Sequence, residues 1–131
     1  MKTLISILVL VTLVFSCQKT DDCDPNSPSL IGNWNWTKSV GGIGGGTFTP
    51  AITGENIKIK ISADSIYREY HNNSLITASK FSLAYKSQDS RPYLKFDGLI
   101  NLYFEFTDCS NLKVTELAAD GFVIYYKRNS K

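Results

Sequence analysis

Few side chains in this sequence are suited to chemistry. There is one histidine, His71, and there are three cysteines, Cys17, Cys23 and Cys109. A single histidine excludes a three-histidine zinc site, and no pair of cysteines has the Cys-x-x-Cys spacing of a structural zinc site. His71 stands beside a predicted turn, so we expect its side chain to be exposed. We therefore expect no catalytic residue, no metal and no cofactor.

Acidic residues cluster near the start of the chain, at Asp21, Asp22 and Asp24. Carboxylates bind divalent cations, but this cluster lacks the Asp-x-Asp-x-Asp-Gly spacing of a calcium-binding loop. The other carboxylates are scattered and show no pair that indicates glycoside cleavage. The sequence favours a protein that is not an enzyme.

The chain begins with the pattern of a secretory leader. Lys2 gives a positive start, an apolar run covers residues 4–15, and the small residue Ser16 precedes Cys17. This order is typical of a signal peptide, and the run is shorter than the roughly 20 apolar residues that a spanning helix needs. We predict that residues 1–16 are a signal peptide and that the mature chain has no transmembrane helix.

The end of the leader, residues 13–17 (Leu-Val-Phe-Ser-Cys), resembles a lipobox. In lipoproteins with this motif the chain is cut before the cysteine, whose thiol receives diacylglycerol. The resemblance implies an acyl anchor, such as palmitate, on Cys17, and it makes a membrane the first partner. The alternative is an ordinary signal peptide with a chance cysteine near its end.

Residues 17–29 are predicted to form a flexible tether. They contain prolines, serines and acids and no large apolar residue, a composition that cannot bury a core. Residues 18–22 resemble the export signal that sends Bacteroidetes lipoproteins to the outer face of the outer membrane, although an acidic linker fits as well. We expect a cell-envelope protein anchored to the outer membrane, on its periplasmic or its surface-exposed side.

Two cysteines remain after lipidation, Cys23 in the tether and Cys109 near the end of the chain. Exported proteins can form disulfides, so a bond that joins the tether to the folded domain is our first interpretation. Two free thiols are the alternative, because the sequence does not show whether their alpha carbons come within about 7 Å.

Length and charge narrow the class of protein. Removing the leader from 131 residues leaves 115, which suits one domain, placed at residues 30–131. Without Lys2 of the leader the chain has 13 Lys and Arg against 12 Asp and Glu, a net charge of +1 that is too small for a surface that binds nucleic acid. We expect no nucleic-acid partner.

From residue 30 onward the pattern is that of an all-β domain. Ile57, Ile59 and Ile61 alternate with polar residues, which gives that strand one dry face. Turn residues separate similar runs, and no stretch has a helical period. We predict eight strands, at residues 32–40, 56–62, 65–71, 74–86, 93–96, 99–107, 111–117 and 122–128.

The links between these strands predict the architecture. Most are two or three residues long and suit hairpin turns, so consecutive strands are antiparallel neighbours. Eight such strands lose their exposed edges by closing into an up-and-down barrel, and a β-sandwich is the alternative. The one long link, residues 41–50, contains five glycines and is expected to be a flexible lid or a disordered spacer.

Both ends of the domain resemble a known family. Residues 31–34 (Ile-Gly-Asn-Trp) resemble the Gly-x-Trp signature that opens lipocalins, and residues 34–43 resemble the small lipocalin-like lipoproteins of Bacteroidetes. Asp-Gly-Phe at residues 120–122 and Arg128 match the end of the last strand in that family. The resemblance implies a calycin-type barrel.

The resemblance also implies structural roles for Gly32, Trp34 and Arg128. In lipocalins the tryptophan of the first strand seals one end of the barrel, and a late arginine lies across its ring. Such a cation–π contact contributes about 0.5 to 2 kcal/mol. The three residues would close this barrel between its first and last strands.

Two functions fit these observations. A lipocalin-like barrel implies that a small hydrophobic ligand binds in the interior, whereas a solid-cored barrel would be a structural or protein-interaction module with an unknown partner. An apolar cavity of a few hundred Å³ would favour binding. Close packing would favour the second function.

One short motif suggests a modification. Asp64, Ser65 and Ile66 resemble the O-glycosylation pattern of Bacteroidetes proteins. The motif falls in a predicted turn, which is where a glycan has room, and it implies a glycan on Ser65.

Overall fold

The computed structural model describes residues 28–86 and 91–129. Their elements, in chain order, are β1 (Gly32–Gly41), β2 (Gly46–Phe48), α1 (Pro50–Thr53), β3 (Ile57–Ile61), β4 (Ile66–His71), β5 (Ser74–Tyr85), β6 (Pro92–Phe96), β7 (Leu102–Asp108), β8 (Asn111–Glu116) and β9 (Phe122–Arg128). No helix in this part of the chain is long and apolar enough to cross a membrane.

Eight of the strands form a closed antiparallel barrel. β1 pairs with β3, and every strand from β3 to β8 pairs with the next one along the chain. β9 returns to pair with β1, from Trp34 opposite Arg128 to Gly41 opposite Phe122, which removes the open edges of the sheet. The predicted eight-stranded, up-and-down barrel is confirmed, and the sandwich alternative is wrong.

Local backbone chemistry fixes the hairpins. Between β4 and β5 the link is Asn72 and Asn73, whose φ angles are 50° and 68°. Asparagine tolerates this left-handed region, and two such residues make a turn whose twist matches that of the flanking strands. His71 consequently pairs with Ser74.

The link between β6 and β7 is longer than predicted. The strand expected from residue 99 begins at Leu102, so a two-residue turn at Asp97 and Gly98 is wrong. The side-chain carbonyl of Asn101 accepts a hydrogen bond from the Phe96 N–H at 3.1 Å, which holds residues 97–101 as one loop.

The glycine-rich link forms a hairpin at the end of the barrel where β1 finishes, so the disordered spacer is wrong for this segment, and its movement as a lid stays a prediction. Residues 42–45 form a turn, in which the Gly45 N–H donates to the Gly42 carbonyl at 3.0 Å. Residues Gly46–Phe48 form β2, a ninth strand that pairs with the end of β1. The Phe48 ring lies 5.9 Å from the Phe122 ring, so an aromatic contact holds the hairpin against β9.

The barrel interior is an apolar core built from alternate strand positions. Its buried members are Trp34, Trp36, Ile59, Ile61, Tyr67, Leu94, Phe96, Leu112, Val114 and Tyr126. Trp34 and Leu112 are the most completely buried large side chains, and they lie where β1 and β8 begin. This end of the barrel is therefore filled with side chains.

Candidate functional site

The two ends of the barrel differ in content. We call the end at which β1 begins and β9 finishes the closed end, since Trp34 and Arg128 meet there. The opposite end, at which β4 and β8 finish with Glu69 and Glu116 close to their last residues, is the open end. Polar groups face the interior mainly at the open end.

The Arg128 guanidinium lies over the Trp34 ring at the closed end. Trp34 is 0% exposed, and the Arg128 guanidinium carbon lies 4.2 Å from the centre of its ring. The indole Nε1 donates a hydrogen bond to the Leu30 carbonyl at 3.0 Å. The structure thus brings together the two residues that the lipocalin resemblance pairs, in a structural arrangement.

Arg128 also joins three segments of the chain. Its guanidinium donates hydrogen bonds to the carbonyls of Ser29, Ile31 and Cys109. Gly32 leaves space for it, because a Cβ at this position would lie 2.6 Å from the Arg128 Nη1. The φ of Gly32 is +152°, a conformation that other residues rarely adopt.

The other predicted sites are only partly described. Cys109 lies in the turn between β7 and β8 and is disulfide-bonded. Cys17 and Cys23 lie outside the described residues, so lipidation and the Cys23 pairing stay predictions. Ser65 is exposed in the turn between β3 and β4, with a φ of 62°, and its glycosylation also stays a prediction.

A cavity of about 140 Å³ lies inside the barrel at the open end. It is lined by the side chains of Trp36, Ser39, Ile57, Ile59, Tyr67, Glu69, Leu102, Val114, Glu116, Ile124 and Tyr126. Ser39, Glu69 and Glu116 stand late in β1, β4 and β8, whereas Ile57, Leu102 and Ile124 stand early in β3, β7 and β9. Because neighbouring strands run in opposite directions, all six positions meet at the same end.

A hydrogen-bonded row of inward side chains runs along β4 into this cavity. The Tyr67 hydroxyl donates to Glu69 Oε2 at 3.0 Å, and the His71 Nε2 lies 2.7 Å from Glu69 Oε1. His71 Nδ1 lies 3.5 Å from Glu55 Oε2, and its side chain is 30% exposed. The prediction of an exposed histidine is therefore wrong. His71 is two residues from Glu69 on the same face of the strand, which turns it toward the barrel mouth.

Glu116 is the second carboxylate of the cavity. Its Oε2 accepts a hydrogen bond from the Phe122 N–H at 3.0 Å, across the turn between β8 and β9. Within the described part of the chain Glu116 has no salt-bridge partner. On β1, two strands away around the barrel, the Trp36 Nε1 donates to the Ser39 hydroxyl at 2.8 Å, so the Ser39 hydroxyl already has a hydrogen-bond partner.

Tyr126 is a second buried phenol in the lining, beside Tyr67. It is 5% exposed, and its hydroxyl makes no hydrogen bond to any residue that the structure describes. Burial raises the pKa of Tyr126 well above its ordinary value, and the negative charges of Glu69 and Glu116 raise it further. The hydroxyl therefore stays protonated and retains a free donor and a free acceptor.

The outer surface carries a second, wider groove of about 310 Å³ over β1 and β3. Its lining is mostly polar, with Asn33, Asn35, Lys58, Lys60, Tyr70, Asn73 and Asn129. These are outward side chains in contact with solvent. The groove has few of the convergent, buried groups that a ligand site needs.

Sequence reasoning missed Glu69, Glu116, Tyr126 and Trp36 as site residues. A usable signal was present, because Glu116 continues the inward alternation of Leu112 and Val114, and Glu69 follows Tyr67 at the same spacing. A carboxylate at an inward strand position is costly unless it is paired or functional.

Among residues 28–86 and 91–129, no group of three or more His, Cys, Asp or Glu side chains is placed to hold a metal ion. Comparison with protein-family models, with curated proteins and with solved structures found no match to this chain.

Proposed function

We propose that this protein is a non-enzymatic, lipid-anchored lipoprotein of the outer membrane whose barrel binds one small molecule. The observation that carries the proposal is the cavity of about 140 Å³ inside the closed barrel at its open end. A barrel of eight strands has room for side chains or for one small ligand. Here side chains of the described residues fill the closed end, and this cavity lies at the open end.

The size and lining of the cavity limit the ligand. The cavity of about 140 Å³ is smaller than the few hundred Å³ named above as favouring binding, and smaller than common ligand pockets of about 300 to 1,000 Å³. It therefore suits only a molecule of one small ring or a short chain. Ile57, Leu102 and Ile124 supply apolar walls. The ligand is accordingly small, with an apolar body that these walls cover.

The position of the cavity fits an anchored protein. Residues 29–31 reach the barrel at its closed end, where their carbonyls accept hydrogen bonds from the Arg128 guanidinium and the Trp34 indole. A tether that precedes them would join the barrel on the side opposite the cavity mouth. The mouth would then face away from the attachment point and remain accessible to a ligand.

Native mass spectrometry of the protein purified from its host tests the binding role. We expect a bound mass of small-molecule size that is lost in Ile57→Phe, because the added ring occupies the cavity. Ile52→Phe is the matched control, since Ile52 is 68% exposed on α1 and does not line the cavity, and it should keep the bound mass. Loss in both variants, or no bound mass in the parent, would count against the proposal.

Lipid attachment is tested separately at Cys17. Cys17→Ser should abolish incorporation of a palmitate analogue during metabolic labelling, because serine offers no thiol for diacylglycerol. The same change should release the protein from the membrane fraction. Continued labelling of the variant would show that the anchor lies at another residue.

A second function is favoured by the apolar side chains around the mouth. Ile43, Leu75, Ile76, Leu99, Ile100 and Leu117 are all exposed in or next to open-end turns. Clusters of exposed apolar residues often mark interaction sites. A protein-interaction module that uses this rim is therefore the alternative.

A further inference from the structure

The cavity holds negative charge without a matching cation among its lining residues. Glu69 and Glu116 both line it, and no lysine, arginine or histidine is in that lining. His71 reaches one oxygen of Glu69 from the mouth, whereas Glu116 has no ionic partner in the described part of the chain. Two carboxylates that share a partly dry site repel each other, and a cation placed between them relieves that repulsion.

The unpartnered hydroxyl of Tyr126 is an independent indication of a ligand. The Tyr126 side chain is 5% exposed and lines the same cavity, and its hydroxyl has no hydrogen-bond partner among residues 28–86 and 91–129. Among those residues the fully buried side-chain polar atom without a partner is the Tyr103 hydroxyl, so the Tyr126 hydroxyl opens onto the cavity, where a ligand can reach it. The negative charges of Glu69 and Glu116 act on this phenol, so the hydroxyl and both carboxylates surround one space.

We infer that the cavity binds a small organic cation, a protonated amine on a short apolar body. The ammonium group would donate to the free oxygen of Glu116, to Glu69 and to the Tyr126 hydroxyl, while the body would pack on Ile57, Leu102 and Ile124. The Trp36 ring adds an aromatic wall of the kind that attracts cations. An apolar cavity of about 150 Å³ is known to hold one benzene molecule, so a single-ring amine matches this cavity. This inference rests on the proposed function and names its ligand class.

Calorimetric titration of the full-length protein in detergent at neutral pH, with three single-ring probes of similar size and different charge, tests the inference. Benzylamine carries a positive charge, benzyl alcohol is neutral and benzoate is negative. We expect benzylamine to bind at least about 10-fold more tightly than benzyl alcohol. The reason is that one hydrogen bond between charged groups lowers a dissociation constant by about 10-fold or more. Benzoate should not bind.

Two conservative variants locate the site. Glu116→Gln keeps an acceptor for the Phe122 N–H but removes the charge, and Tyr126→Phe removes only the hydroxyl. Each should weaken benzylamine binding by about 10-fold or more while benzyl alcohol binding changes little. Glu105→Gln is the control, because Glu105 is 66% exposed on the outer face of β7 and pairs with Lys113, and it should change nothing.

The outcomes separate this inference from the proposed function. Equal affinity for benzyl alcohol and benzylamine would overturn the cation assignment and leave small-molecule binding in place. Tighter binding of benzoate, or an equal loss of benzylamine affinity in Glu105→Gln, would also overturn it. Failure of all three probes to bind at millimolar concentration, together with no bound mass in native mass spectrometry, would overturn both.

Discussion

Trp34→Ala should destabilise the barrel by about 3 to 5 kcal/mol, the cost of a large void in a core. Trp34 is 0% exposed, so nearly all of its contacts are lost on truncation. The substitution also removes the ring beneath Arg128 and the donor to the Leu30 carbonyl. Urea unfolding monitored by circular dichroism measures the change in the free energy of unfolding.

A double-mutant cycle measures how much the Trp34–Arg128 contact itself contributes to the free energy of unfolding. Arg128→Ala alone should cost about 1 to 3 kcal/mol, because the guanidinium also donates to three carbonyls. The coupling free energy between the two changes should be about 0.5 to 2 kcal/mol. A coupling near zero would mean that the contact contributes nothing to stability. If Trp34→Ala does not fold, Trp34→Phe replaces it in the cycle as a milder substitution.

An exposed contact of the same kind is available as a control for that cycle. Lys38 Nζ lies 4.6 Å from the centre of the Tyr125 ring, and Lys38 is exposed to solvent. Exposed cation–π pairs contribute at the low end of the range, about 0.5 kcal/mol. The Lys38–Tyr125 coupling should therefore be clearly smaller than that of Trp34 and Arg128.

Cys109→Ser should lower the free energy of unfolding by about 2 to 5 kcal/mol, the usual effect of removing a native disulfide. Cys109 is disulfide-bonded, and a bond to Cys23 would close a loop of about 85 residues, for which chain entropy gives roughly 4 to 5 kcal/mol at most. Cys23→Ser should cause the same loss, and the double variant should lose no more than either single one. Unfolding curves of the three variants measure this.

A separate experiment identifies the cysteine that is bonded to Cys109. Peptide mapping without reduction should yield a peptide that joins the regions of Cys23 and Cys109. Two thiols that react with an alkylating reagent in native protein matured in the periplasm would contradict the pairing. Lipidated Cys17 should not react in either case.

The strand order and the direction of each strand followed from local sequence patterns. Alternation in residues 57–61 and the Asn72–Asn73 turn act over a few neighbouring residues, so they are visible in the chain without its fold. Local patterns did not predict β2, because tertiary contacts determine whether that strand forms. β2 forms because it pairs with the end of β1 and because Phe48 packs on Phe122, and neither contact is encoded in the glycine-rich segment itself.

The sequence by itself determined an all-β chain of short antiparallel hairpins with one dry face to each strand. Only the tertiary structure decided that Glu69, Glu116 and Tyr126 line one cavity. Alternation assigns a side chain to the inner or the outer face, but which inner side chains meet across the interior depends on the tilt and stagger of the closed barrel. β4 and β8 are four positions apart in the sheet, so their carboxylates face each other only because β9 closes onto β1.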